Sequence, residues 1–235
     1  MNVRDRLIVA LDVPKADPAR DLVDRLAGKV GLFKVGSQLF TAAGPGFVQE
    51  VVGRGEKVFL DLKFHDIPNT VAGAVSSASR LGVSLIDVHG LGGRAMLEAA
   101  VGALPAMKTR LLGVTILTSH DEDSLGQIGV NGSLHDSVRR LALLAMEAGL
   151  DGVVASPREV EIIREACGVD FLIVTPGIRP AGFAAGDQVR AATPAAALAA
   201  GADYLVVGRP ITAAEDPGKA ADAIVREMES ALGTT

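Results

Sequence analysis

The sequence has very little sulfur and very few aromatic side chains. Of its 235 residues, one is cysteine, none is tryptophan, and only 3% are aromatic. The single cysteine, Cys167, excludes an internal disulfide and a thiolate metal cluster, and it is typical of a protein kept in a reducing cytoplasm. The core must therefore be built from Ala, Val, Leu and Ile, and the 49% hydrophobic content is sufficient for this.

Several other signals are missing. No apolar segment is long enough to span a bilayer, so we expect a soluble cytoplasmic protein without a membrane partner. GxGxxG and Walker A sequences are absent, which argues against a nucleotide cofactor bound by those motifs. The four histidines show no metal-ligand spacing. A formal charge of -5 gives no general attraction to nucleic acid, so an anionic substrate needs a local group of cations.

Short β-branched runs alternate with amphipathic segments along the whole chain, as in βα units around a parallel sheet. The predicted strands are 7–11, 32–35, 58–62, 85–88, 111–117, 152–155, 171–175 and 204–207. The predicted helices are 18–26, 48–53, 70–81, 95–104, 137–148, 157–166, 194–200 and 218–232. Because eight units follow without a linker, the sequence predicts an α/β fold, a (β/α)8 TIM barrel that forms a single domain over 1–235. The alternative is a doubly wound open sheet, which usually has fewer units.

Charged residues stand at the end of the third predicted strand. Asp61 and Lys63 follow an apolar run, and Asp66 comes three residues later. In a strand, side chains two residues apart share a face, so the Asp61 and Lys63 side chains are expected about 6 to 7 Å apart along the chain. Charges of alternating sign at the end of a buried strand indicate a catalytic site, and a structural ion pair is the alternative.

Polar residues also stand at the ends of other predicted strands, where barrels of this class place their active sites. They are Asp12, Lys34, His89, Thr118, Arg179, Gly208 and Arg209. Arg179 and the pair Gly208-Arg209 occupy the usual phosphate position of such barrels, which predicts a phosphate site; a surface ion-pair role is the alternative. The small residues at 183–187 predict a lid that orders on phosphate.

These motifs together closely resemble bacterial orotidine 5′-monophosphate decarboxylases. The resemblance rests on Leu11-Asp12, on Lys34-Val35-Gly36, on the run 61–70, on 175–180, on 186–188 and on 207–210, and it covers essentially the whole chain in order. Segment 87–93 matches only loosely, and the role of His89 stays open. The resemblance implies conversion of orotidine 5′-monophosphate to UMP and CO₂, the last step of de novo pyrimidine synthesis, without a metal or an organic cofactor.

The resemblance also implies residue roles and a homodimer with shared active sites. A charge network would contain Lys34, Asp61, Lys63 and Asp66, with Lys63 as the proton donor to C6 of the pyrimidine. Asp66 and Thr70 would reach into the neighbouring subunit's site. The substrate-binding residues would be Asp12, Lys34 and Thr70 at the ribose, Thr118 and Gln188 at the base or towards the phosphate, Pro176 beside them, and Arg179, Gly208 and Arg209 at the phosphate.

Two other functions are compatible with parts of the sequence. A Mg²⁺-dependent phosphosugar decarboxylase or aldolase of the same barrel superfamily shares DxKxxD, but it places a metal-binding carboxylate where Lys34 stands, and a lysine repels a cation. A phosphonucleotide-binding regulator without turnover is the second alternative, although every expected charge is present. Loss of CO₂ leaves electron density on C6, which a fixed cation must stabilise and then protonate, and Lys63 suits both tasks.

Overall fold

Eight parallel strands close into a barrel in the computed structural model, which describes residues 2–104, 109–180, 183 and 191–233. The strands are β1 (Leu7–Ala10), β2 (Leu32–Gly36), β3 (Val58–Phe64), β4 (Leu85–His89), β5 (Arg110–Val114), β6 (Gly152–Val154), β7 (Leu172–Thr175) and β8 (Tyr204–Val207). Each strand pairs with the next, and β8 pairs with β1, which removes the sheet edges. The predicted single-domain (β/α)8 barrel is confirmed, and the open sheet is wrong. That the domain takes in all of 1–235 stays a prediction.

Helices alternate with the strands in the described part of the chain. They are α1 (Ala16–Leu26), α2 (Ser37–Gly53), α3 (Pro68–Ser79), α4 (Gly93–Gly102), α5 (Glu122–Gln127), α6 (Leu134–Glu147), α7 (Val160–Cys167), α8 (Pro194–Ala199), α9 (Arg209–Thr212) and α10 (Pro217–Leu232). Thr193 and Asp216 accept hydrogen bonds from backbone N–H groups three residues further on, each just before a proline that starts the helix. None of the helices in these residues combines the length and the apolarity that crossing a bilayer requires.

Many boundaries differ from the predicted ones by one to three residues, and some elements differ more clearly. The predicted helix 48–53 is the end of α2, which begins at Ser37 and is kinked at Gly44, where φ is +69° before Pro45. The predicted strand 111–117 ends at Val114. Helix α5 was not predicted, although Asp121 and Ser124 form a capping box at its start.

Alternate strand residues fill the interior of the barrel. One buried cluster contains Ile8, Ala10, Leu32, Phe59, Leu85, Leu112, Val174 and Val206. Because side chains return to the same face every second residue, Lys34, Asp61 and Asp87 follow Leu32, Phe59 and Leu85 one layer nearer the carboxyl ends. The interior therefore changes from apolar to charged at that end of the barrel.

Candidate active site

A cavity of about 500 Å³ opens at the carboxyl ends of the strands, and its volume is in the range that holds a small ligand. Interior residues such as Ala10, Phe59 and Val206 form part of its lining. The structure brings most of the predicted site residues to this cavity: Asp12, Lys34, Asp61, Lys63, Thr118, Pro176, Arg179, Gly208 and Arg209. Their roles towards a ligand stay a prediction.

Two predicted site residues in the described part of the chain do not line this cavity, and a third lies outside that part. Asp66 and Thr70 are exposed and do not line it, and the Asp66 carboxylate accepts a hydrogen bond from the Ile67 backbone N–H at 2.6 Å. Gln188 lies outside the described residues, as does the predicted lid except for Phe183. Within one chain, Asp66 and Thr70 are thus separate from the charges that the cavity gathers.

Four charged side chains form a row of alternating sign along the cavity. The Lys34 Nζ atom lies 3.0 Å from Asp12 Oδ1 and 3.1 Å from Asp61 Oδ2. The other oxygen of Asp61 contacts the Lys63 ammonium. Lys34 and Asp61 are each only 8% exposed, so each needs its opposite charge to offset the loss of water.

The two buried members of this row keep each other ionised. Burial would lower the pKa of Lys34, but the charges of Asp61 and Asp12 outweigh burial and raise that pKa above its usual value. Burial would likewise raise the pKa of Asp61. The charge of Lys34, a hydrogen bond with Asp87 and the charge of Lys63 together hold it far below its usual range. Lys34 and Asp61 are therefore charged at neutral pH.

A bulge in β3 places Asp61 and Lys63. The β3–β4 register pairs Leu60 with Ile86 and then Phe64 with Val88, so residues 61–63 lie opposite one residue of β4, Asp87. Lys63 has φ of +50°, which residues other than glycine seldom adopt. Its side chain meets that of Asp61, as the spacing of two predicted, but through a bulge and not through regular strand alternation.

Asp87 is a buried residue of this site that the sequence did not reveal. It is 0% exposed, and its Oδ1 accepts a hydrogen bond from the Lys63 backbone N–H at 2.8 Å. Burial and then the negative charge of Asp61 raise the pKa of Asp87 well above its usual value, which favours the protonated form of this carboxyl group. The sequence feature that could have indicated this residue is a carboxylate inside the apolar run 85–88, on the same strand face as Leu85.

His89 lies at the end of β4 and is not among the residues lining the cavity. Its ring stacks on that of His65 with 5.3 Å between centroids, and its Nδ1 accepts a hydrogen bond from the Leu91 backbone N–H at 3.3 Å. Burial, followed by the charges of His65, Lys63 and His120, lowers the pKa of His89 to about 4. His89 is therefore neutral at pH 7.

Two arginines stand on the other side of the barrel mouth. Arg179 follows β7 and is held by its backbone N–H, which donates to the Ala192 carbonyl at 2.9 Å, and by its Nη1, which donates to the Ile178 carbonyl at 2.9 Å. Arg209 follows β8. In a closed barrel of eight strands, β7 lies opposite β3. The cavity thus has a lysine–carboxylate row on one side and guanidinium groups on the other.

The closed barrel and this charged cavity define a (β/α)8-barrel enzyme with its site at the carboxyl ends of the strands. A family model described as orotidine 5′-phosphate decarboxylase / HUMPS family matches residues 5–224. The orotidine 5′-phosphate decarboxylase of Halorhodospira halophila is 58% identical over 228 residues, covering 96% of this chain and 97% of that protein. The one from Moorella thermoacetica is 56% identical over 237 residues, covering 97% and 94%.

A solved structure agrees with these relatives. The crystal structure of orotidine 5′-phosphate decarboxylase from Lactobacillus acidophilus has a TM-score of 0.84 to this chain at 39% identity, covering 94% of this chain and 98% of that one. The chain therefore belongs to the orotidine 5′-phosphate decarboxylase / HUMPS family. The prediction of a decarboxylase, that is a carboxy-lyase, is confirmed, and the relatives do not support the metal-dependent phosphosugar alternative.

Proposed function

We propose that this chain converts orotidine 5′-monophosphate to UMP and CO₂ in pyrimidine synthesis, without a metal or an organic cofactor. The observation that carries the proposal is the row of Asp12, Lys34, Asp61 and Lys63 beside a cavity with arginines on its far side. The reacting bond joins C6 of the pyrimidine to its carboxylate carbon. When it breaks, CO₂ leaves, the electron pair stays on C6, and the Lys63 ammonium gives C6 a proton. The neutral amine then regains a proton from solvent.

The charge row suits this chemistry because its charges are fixed before the substrate arrives. A preorganised cation stabilises the charge that develops at C6 without the reorganisation that water would need. Asp61 contacts both lysine ammonium groups and so holds Lys63 in a defined place. Lys34 is buried between Asp12 and Asp61, and we assign Asp12 and Lys34 to the ribose hydroxyls.

The arginine side of the cavity supports a phosphate site. We assign the substrate phosphate to Arg179, Gly208 and Arg209, because guanidinium groups and backbone amides suit a phosphate dianion. Thr118 and Pro176 line the same cavity and are assigned to the base and its surroundings, together with Gln188. Binding energy from the remote phosphate would help to assemble the charged side, so loss of an arginine should lower kcat as well as raise KM.

The direct test follows the loss of substrate absorbance when EDTA-treated protein meets orotidine 5′-monophosphate. We expect turnover by the wild type and none by Lys63→Ala. Full activity in Lys63→Ala would refute the role of Lys63. Consumption of 3-keto-gulonate 6-phosphate with Mg²⁺, in place of orotidine 5′-monophosphate, would favour the metal-dependent alternative.

We also propose a homodimer in which Asp66 and Thr70 of one chain complete the site of the other. Both residues are exposed and stand apart from the cavity of their own chain, which supports this assignment. The test mixes two inactive variants, Lys63→Ala and Asp66→Asn. In a mixed dimer, one of the two sites receives Lys63 from the Asp66→Asn chain and Asp66 from the Lys63→Ala chain, so that site is native. Random mixing should restore about a quarter of the wild-type sites. If dimers shown to be mixed recover no activity, the shared site is contradicted.

A cytoplasmic location of the protein also stays a prediction.

A further inference from the structure

The segment of β3 that carries Asp61 and Lys63 is not held by regular strand pairing. Residues 61–63 bulge opposite Asp87, between the pairs Leu60–Ile86 and Phe64–Val88. The Lys63 N–H, which a regular ladder would pair with a backbone carbonyl, donates instead to Oδ1 of Asp87 at 2.8 Å. One side chain thus satisfies the backbone of the bulge at the residue that carries the reactive ammonium.

The conformation of Lys63 needs such support. Its φ of +50° is in the left-handed region, where a side chain with a Cβ atom is unfavourable and persists only when its surroundings fix it. A buried N–H without an acceptor would favour a return to extended backbone. Asp87 provides the acceptor for this N–H. It is itself fixed in place, because it is 0% exposed and lies in the interior of the barrel on β4.

The second oxygen of Asp87 links the bulge to Asp61. Asp87 Oδ2 is fully buried, and no donor among the described residues reaches it. A hydrogen bond between the Asp87 and Asp61 side chains is nevertheless among the causes that raise the pKa of Asp87 and lower that of Asp61. Two ionised carboxylates would repel each other, whereas a protonated Asp87 donates to Asp61 and still accepts from Lys63. Asp87 can therefore hold both reacting-site residues at once.

We propose that Asp87 is a positioning residue for the decarboxylation: as a neutral carboxylic acid it fixes the β3 bulge by accepting from the Lys63 backbone and donating to Asp61. This inference rests on the proposed function. Asp87 is not among the residues that line the cavity, so it acts through Asp61 and Lys63 and not on the substrate. The arginine side of the cavity is formed by other strands and does not depend on the bulge.

Two substitutions of Asp87 separate positioning from general stability. Asp87→Asn keeps the shape and both hydrogen bonds, because its carbonyl accepts and its NH₂ donates. Asp87→Leu keeps the approximate shape and loses both hydrogen bonds. Thr109→Val is a matched control, since it removes a buried hydrogen bond of 2.7 Å to the Val83 carbonyl just before β5, at the opposite end of the barrel.

The measurements are kcat and KM for orotidine 5′-monophosphate, UMP affinity by calorimetry, and the melting temperature. We expect Asp87→Leu to lower kcat by about 100-fold, the effect of a reacting group displaced by about 1 Å, while UMP affinity stays close to that of the wild type. Asp87→Asn should keep most of the activity, and Thr109→Val should lower the melting temperature without changing kcat. Should Asp87→Leu fail to fold, Asp87→Ala takes its place.

Near wild-type kcat in Asp87→Leu, or a loss in Asp87→Asn as large as in Asp87→Leu, would overturn the inference. A wild-type protein that leaves orotidine 5′-monophosphate unchanged would instead defeat the proposed function. The positioning role would then be decided by a crystal structure of Asp87→Leu. A Lys63 backbone that has left positive φ supports the role, and an unchanged bulge overturns it.

Discussion

Replacement of Asp87 by asparagine should make the unfolding free energies of variant and wild type diverge as pH rises. In the folded wild type, burial and then the charge of Asp61 raise the pKa of Asp87 well above its usual value. In the unfolded chain the same carboxyl titrates near its ordinary pKa of about 3.9. Between these two pKa values the folded protein holds a proton that the unfolded chain has lost.

The sign and size of the effect follow from this difference. The stabilisation by the protonated Asp87 is complete below the unfolded pKa and is lost as pH rises towards the folded pKa. Wild-type stability should fall by up to about 1.4 kcal/mol per pH unit relative to Asp87→Asn, which has no such proton.

Urea unfolding of both proteins, at half-unit steps from about pH 5 to about pH 8 and constant ionic strength, measures this divergence. Asp61 does not interfere, because its pKa is held below its usual range and it stays ionised in both states throughout this window. Thr109→Val should differ from the wild type by a constant amount at every pH. Parallel stability curves for Asp87→Asn and the wild type would show that Asp87 is ionised in the fold, and would refute the reasoning.

Three further predictions concern residues around the same site. Lys34→Met leaves the buried Asp61 without one of its two cations, so urea unfolding should show a loss of about 3 to 5 kcal/mol; a smaller loss than for an exposed lysine would contradict the pairing. The folded pKa of His89 is lowered to about 4, so wild-type stability should fall as pH drops from about 6.5 to about 4, whereas His89→Asn should not show this fall. Gly36→Ala places a Cβ atom 3.0 Å from Lys34 Nζ, so kcat should fall at least about tenfold, while Gly53→Ala, where the Cβ meets no atom within 4 Å, should keep wild-type kcat; equal rates in both variants would contradict the crowding.

The barrel could be predicted from the sequence because each strand is a short apolar run and each helix has an apolar face. The charged cavity could be predicted for a related reason, since barrel chemistry gathers at strand ends and Lys34, Asp61 and Lys63 stand there. Helix α2 was only partly predicted. Its glycines and Pro45 are typical of a helix end, whereas in the fold the helix continues through them with one kink at Gly44.

The β3 bulge and the role of Asp87 could not be derived from the sequence. A spacing of two residues places Asp61 and Lys63 on one strand face, but the register against β4 is a property of the closed sheet. A single aspartate in the apolar run of β4 forms no motif, and its protonation depends on burial and on a carboxylate from another strand. The expected positions of Asp66 and Thr70 likewise need a second chain.

A neutral Asp87 also fits the charge balance that an anionic substrate requires. Lys34 and Lys63 contribute two positive charges to the row, and Asp12 and Asp61 contribute two negative ones. A third ionised carboxylate would give this side of the cavity a net negative charge, at the place where the proposed substrate brings its own carboxylate. The bulge needs a hydrogen-bond acceptor and Asp61 needs a donor, and a protonated carboxyl provides both without adding charge. Asp87 can therefore support the backbone of Lys63 without repelling the anionic substrate that Lys63 is expected to protonate.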